Sequence, residues 1–191
     1  SPKDQTNASP MNPLNTIPNY LTLIRFLLIT PICFVIIEQL WLLAIAIFLV
    51  AIISDILDGY LARTLDQTSA LGGLFDHATD ALFVCAGLAC LTIDGSVTYW
   101  LPPLVILSFI QYVLDSKALS GQKLISSVIG RGNGIAYFVL LGCALGFKTL
   151  GVNSNVFSQI ILAASWILCL STIISMCDRA IALWKNSRSA N

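Results

Sequence analysis

Six apolar runs, separated by short polar intervals, divide the chain: Asn19 to Ile37, Leu42 to Leu57, Leu71 to Ile93, Pro102 to about Leu119, about Ile125 to Leu150, and Val156 to Cys177. Runs of this kind match the roughly 20 residues a helix needs to cross about 30 Å of hydrocarbon. The pattern predicts an all-α, polytopic membrane protein with six transmembrane helices forming a single domain over 11–191. Ser1 to Pro10 are polar and precede a natural start at Met11, so they are expected to be a disordered tail or an expression remnant. The breaks carry turn chemistry: Glu38-Gln39, the polar interval Thr64 to Ser69, Asp94-Gly95-Ser96, Ser120 to Lys123, and Gly151 to Asn155. Pro102-Pro103 suits the first turn of the fourth helix, and Trp41 and Trp100 suit membrane interfaces.

Composition agrees: 57% of residues are hydrophobic and 10% charged, far more apolar than a soluble domain of 191 residues. The zero formal net charge conceals an ordering of the ten basic residues. With the N-terminus in the cytoplasm, Lys3, Arg25, Arg63, Lys117, Lys123, Arg131, Arg179, Lys185 and Arg188 lie on or towards that side, and Lys148 alone lies opposite. The positive-inside rule therefore places both termini in the cytoplasm, as in a bacterial inner membrane. No basic surface for nucleic acid is present. The six cysteines lie inside apolar runs without a CxxC pair, and read as small core hydrophobes.

Against this apolar background, Asp55, Asp58, Asp76 and Asp80 close the second run and open the third. Spacings of three and four put each pair on one face of its helix. Each ionised group at membrane depth costs roughly 2.5–3.5 kcal/mol on insertion scales, so four together call for a counter-charge. Four hard oxygen donors on adjacent helices suit one or two divalent ions, Mg²⁺ or Mn²⁺ by ligand type. An ion or proton pathway in a small transporter is the reading from another class. Gly59, Ala62 and Gly72 lack bulk and leave room for a ligand, and Arg63 offers a fork to phosphate. Taken singly, small residues on spanning helices equally serve packing, as does Gly142-x3-Gly146.

The full spacing, Asp55-x2-Asp58-Gly59-x2-Ala62-Arg63-x8-Gly72-x3-Asp76-x3-Asp80, resembles the signature of the CDP-alcohol phosphotransferase (CDP-alcohol phosphatidyltransferase) family at every fixed position. The resemblance weighs strongly against the transporter. It implies an integral-membrane enzyme that transfers a phosphatidyl group from CDP-diacylglycerol to the hydroxyl of a small alcohol, releases CMP, and works as a homodimer. It also implies metal ligation by Asp55, Asp58, Asp76 and Asp80, with Asp80 the proposed general base, and a CDP site at Asp58, Gly59, Ala62, Arg63 and Gly72. His77, one residue past Asp76 and so about 100° round the helix, reads as packing; many bacterial phosphatidylglycerophosphate synthases have proline there. Asp66 and Thr68 read as a solvated turn.

The acceptor is less defined. The run Asn15 to Arg25 is similar to the opening of the phosphatidylglycerophosphate and cardiolipin synthases of that family, which favours glycerol 3-phosphate. Gln111 to Lys117 and Gly130 to Gly134 do not follow the pattern of those enzymes, leaving serine, inositol phosphate and phosphatidylglycerol open. Lys117, Arg131 and Arg179, with Arg25, are the expected anion pocket for a phosphorylated acceptor; Arg25 is read equally as snorkelling to the headgroups.

Overall fold

The computed structural model describes residues 17–65, 69–115, 128–151 and 155–189. Among them are seven helical segments and no strand: α1 (Ile17–Leu27), α2 (Ile29–Ile37), α3 (Trp41–Thr64), α4 (Ala70–Thr92), α5 (Leu101–Asp115), α6 (Val128–Thr149) and α7 (Asn155–Ser189). The chain is thus an all-helical polytopic membrane protein. Helices α1 and α2 together make one span, so among the described residues five spans are long and apolar enough to cross a membrane. The 15 residues of α5 reach about 22 Å, short of the hydrocarbon thickness of about 30 Å.

The first span is not continuous. Pro31 has no N–H for the carbonyl of Leu27, four residues back, and the helix turns at Leu28, whose N–H is shared between Ile24 O (3.0 Å) and Arg25 O (3.1 Å). At its end Gln39 takes φ 57°. The N–H of Leu40 then reaches Val35 O at 2.8 Å, and that of Gln39 reaches Ile36 O at 3.1 Å, closing the last carbonyls as a glycine-terminated helix would. The predicted loop before α4 ends in a cap: the Ser69 hydroxyl accepts from the N–H of Gly72 at 2.9 Å. The last helix outruns its predicted end at Cys177 and continues to Ser189, because Asp178 and Arg179 contain no breaker and lie on its face. Predicted ends near Leu119 and Ile125, the predicted turn residues Asp66 and Thr68, and Lys117, expected near the end of the fourth helix, lie outside the described residues.

Helix α1 packs on α3 and α4, α2 packs on the same pair, and α3 and α4 both pack on α6. Helix α7 joins α5 to α6, whereas α5 and α6 do not pack on each other among the described residues. The core is aliphatic and aromatic: Phe83, Leu88, Leu91, Leu101, Leu141 and Leu145 are fully buried. Two glycines set close approaches. A Cβ on Gly142 would stand 2.7 Å from the Phe48 ring, and one on Gly87 2.8 Å from Leu141, so Gly142 serves packing within this chain. Of the cysteines only Cys169 is buried; Cys143 and Cys177 face outward and Cys33, Cys85 and Cys90 are half-buried, all without disulfides. Outward-facing thiols depart from the expectation of core residues, but bilayer is as apolar a setting as core.

One end of the bundle is tied by Lys148, whose Nζ lies 2.5 Å from Asp94 Oδ2 and 4.7 Å from the Trp41 ring centroid. Thr149 adds a hydrogen bond to the Trp41 carbonyl at 3.0 Å. Burial alone would raise the Asp94 carboxyl, but hydrogen bonds from Lys148 and Ser96 outweigh it and hold the group below its ordinary value.

Candidate active site

The other end of the bundle gathers the carboxylates. Asp55 and Asp58 lie on one face of α3, and Asp76 and Asp80 on one face of α4, as helical spacing requires. Oxygens of Asp55, Asp58 and Asp76 fall within 4.8 Å of one another, and ligand atoms of Asp76, His77 and Asp80 do likewise. An all-oxygen set at this separation fits a hard divalent cation.

At the centre is Arg25. It is fully buried, with Nη1 at 3.1 Å from Asp55 Oδ1, 2.9 Å from Asp76 Oδ1 and in hydrogen-bond contact with Asp80 Oδ1, and Nη2 at 2.6 Å from Asp58 Oδ2. One turn earlier the Thr22 hydroxyl donates to Asp58 Oδ2 at 3.2 Å, and Ser54 Oγ accepts from Arg25 Nε at 3.4 Å. On α1 the buried face is thus polar, Thr22 and Arg25, while Tyr20, Leu23, Ile24, Phe26 and Leu27 are exposed. This inside-out helix suits a lipid surround. Arg25 does not snorkel: packing of α1 on α3 and α4 turns its guanidinium inward, where four carboxylates compensate its burial.

Beside the cluster lies a cavity of about 590 Å³ whose wall includes Asp55, His77, Asp80, Tyr112, Arg131 and Arg179. It is lined by α3, α4, α5, α6 and α7, and Val84, Val105, Phe109 and Phe138 form part of its apolar wall. Arg179 stands over the Tyr112 ring, Cζ to centroid 5.0 Å, and its Nη1 is buried with no hydrogen-bond partner among the described residues. Further into the α6–α7 seam, Ser171 donates to Asn133 Oδ1 at 2.6 Å, and Tyr137 and Thr172 hydroxyls meet at 2.5 Å. His77 departs from simple packing: half-exposed, it lies on the cavity wall 3.7 Å from Asp76 and 6.2 Å, ring to ring, from Tyr112. The structure therefore brings Arg131 and Arg179 to one cavity with Asp55 and Asp80, and leaves Arg25 off its wall. Gly59, Ala62 and Arg63 follow the acids along α3, and Gly72 precedes those of α4 by one turn; Arg63 is exposed, and its guanidinium lies 3.5 Å from where a Gly59 Cβ would be.

Thr22, Ser54, Ser108 and Tyr112 were not singled out from the sequence. The one available signal was the Thr-x-x-Arg spacing in α1, which puts two polar groups on a single face of a mostly apolar helix.

The chain is similar to known membrane enzymes of lipid synthesis over much of its length. A protein of Mycobacterium tuberculosis provisionally named cardiolipin synthase is 31% identical over 165 residues, covering 81% of this chain and 74% of its own. The CDP-diacylglycerol–glycerol-3-phosphate 3-phosphatidyltransferase of Pseudomonas fluorescens is 38% identical over 97 residues, 48% of this chain and 49% of its own. The human cardiolipin synthase (CMP-forming) is 37% identical over 70 residues, 36% and 23% respectively. The family model for CDP-alcohol phosphatidyltransferase matches residues 15–175, which include the four carboxylates and all the cavity-lining residues except Arg179, and the chain belongs to that family of membrane enzymes.

Proposed function

We propose that the chain transfers a phosphatidyl group from CDP-diacylglycerol to glycerol 3-phosphate and releases CMP, with its active site open to the cytoplasm of a bacterial inner membrane. The observation that carries this reading is that the wall of one cavity carries both the carboxylates Asp55 and Asp80 and the basic residues Arg131 and Arg179. Two guanidinium groups sharing a cavity with a carboxylate cluster suit an acceptor that presents a phosphate to one and a hydroxyl to the other. A cavity of about 590 Å³ suits a compact acceptor.

Asp55, Asp58, Asp76 and Asp80 would hold one or two Mg²⁺ or Mn²⁺ ions, which when bound supply neutralisation of the donor's pyrophosphate. Gly59, Ala62 and Gly72 leave space for the cytidine nucleotide along α3 and α4, and Arg63, with Asp58, binds it. Asp80, on the cavity wall, takes the proton from the acceptor hydroxyl as its oxygen bonds to the lipid-side phosphorus and the bond to CMP breaks. Arg131 and Arg179, with Lys117 beyond the described residues, hold the acceptor phosphate. We further propose a homodimer, as in the family.

A second reading, with phosphatidylglycerol as acceptor, is favoured by the mycobacterial relative, whose match covers more of this chain than the phosphatidyltransferase of Pseudomonas fluorescens does. Purified protein with labelled CDP-diacylglycerol, Mg²⁺ and a panel of glycerol 3-phosphate, phosphatidylglycerol, serine and inositol phosphate tests both. CMP release dependent on glycerol 3-phosphate supports the first, and release with phosphatidylglycerol alone replaces it with the second. Turnover with serine alone sinks both.

A further inference from the structure

We propose that Arg25 is an internal counter-cation that competes with divalent metal for the four carboxylates, so that loading the site requires its guanidinium to leave them. This rests on the reading of the cluster as a metal site.

The geometry points to competition because one nitrogen is over-subscribed. Nη1 has two protons, yet three carboxylate oxygens, from Asp55, Asp76 and Asp80, converge on it. Directed N–H bonds satisfy two of them at a time. A spherical ion placed there would meet all three, since hard cations take several oxygens without directional preference. The oxygens are thus arranged for an ion, and the guanidinium is an imperfect occupant of their focus.

It is nevertheless a necessary one. Four carboxylates converging on one buried side chain repel one another strongly, and Asp58 is itself buried. A single positive charge against four negative ones holds α1, α3 and α4 together but leaves most of the repulsion in place. Mg²⁺ would lie about 2.0–2.1 Å from its oxygens. Arg25 nitrogens already lie 2.6–3.1 Å from oxygens of Asp58, Asp55 and Asp76. The two cations cannot share that volume without contact and like-charge repulsion.

A purely structural ion pair and a competitor differ in sign. If Arg25 only pre-organises the ligands, removing it weakens metal binding; if it competes, removing it strengthens binding while destabilising the protein in chelator. Mn²⁺ affinity by electron paramagnetic resonance and thermal unfolding, in chelator and in saturating Mg²⁺, would be measured on the detergent-purified full chain for wild type, Arg25→Met and Arg25→Lys. The expected result is at least ten-fold tighter Mn²⁺ binding for Arg25→Met, an intermediate gain for Arg25→Lys, and a loss of Tm in chelator that Mg²⁺ largely restores. Should Arg25→Met not fold in chelator, Arg25→Lys carries the test. Equal or weaker Mn²⁺ binding by the variants, with wild type binding normally, overturns the competition alone. Absence of Mn²⁺ binding by wild type, matched by Asp55→Asn, overturns the metal reading and this inference with it.

Discussion

Arg179→Met tests the acceptor side of the cavity most directly. Its Nη1 is buried without a hydrogen-bond partner among the described residues, a state that costs roughly 1–3 kcal/mol for a polar group. A phosphate oxygen arriving in the cavity would relieve that cost and add a charge-assisted bond, worth about 1.5–3 kcal/mol. At about 1.4 kcal/mol per tenfold, removing the guanidinium should raise the acceptor KM roughly 10- to 150-fold. The contact is made to a group that does not react, so it is equal in ground and transition states, and kcat should change little. The assay is CMP release at saturating CDP-diacylglycerol with glycerol 3-phosphate varied. Folding offers a control: the variant loses the contact with the Tyr112 ring, worth about 0.5–1 kcal/mol, but also sheds a buried unpaired donor, so Tm should hardly move. An acceptor KM within about two-fold of wild type, or a rise confined to the KM for CDP-diacylglycerol, would refute the placement of acceptor phosphate at Arg179.

Three other outcomes are expected. Asn at Asp55, Asp58, Asp76 or Asp80 should abolish transfer, and chelation should do so reversibly on readdition of Mg²⁺; full turnover in chelator would end the metal reading. Single cysteines replacing Thr64 and Gln39 in a background without the native six should be labelled from the cytoplasmic and opposite sides respectively, and reversed labelling would put the carboxylates on the wrong face for a cytoplasmic nucleotide. The depressed Asp94 carboxyl should contribute stability above its unfolded value near pH ~4, lost as pH falls through the lower folded value. With the pair partly exposed, the contribution is on the order of 0.5–1 kcal/mol; Lys148→Met should flatten that acid limb of a Tm-against-pH profile, and an unchanged limb would show the pair to be inert.

The parts legible in the sequence were those governed by local periodicity. Hydrocarbon thickness dictates run length, so the six runs were visible, and helix geometry places Asp76 beside Asp80 from their spacing alone. What a helix face meets is a different matter. Nothing within Ile17–Leu27 states that Arg25 turns towards α3 and α4, because that depends on which neighbours α1 packs against. Tyr112 and Ser108 lay hidden for the same reason, as ordinary residues of an apolar run that become cavity wall only where α5 and α6, each packed on α4 and α7, stay apart from one another. The break at Leu28 was only half visible: Pro31 interrupts the run, but whether a helix kinks or ends at a proline is decided by its packing.

The basic residues show why depth escapes a charge count. The positive-inside rule sorts Lys and Arg by side of the membrane, and it puts Arg25, Arg131 and Arg179 together. In the folded chain they separate according to what compensates their burial. Arg25, wholly buried, is matched by four carboxylates from two helices, and a guanidinium so deep in a membrane protein without such partners would cost several kcal/mol. Arg131, exposed at the start of α6, bears no such cost. Arg179 is intermediate: half-buried, stacked on an aromatic ring, and with one donor unsatisfied. A donor held in that condition on the wall of a cavity is stabilised only when something anionic enters, and this makes Arg179, rather than the better-paired Arg25 or the exposed Arg131, the group whose energy changes most on binding.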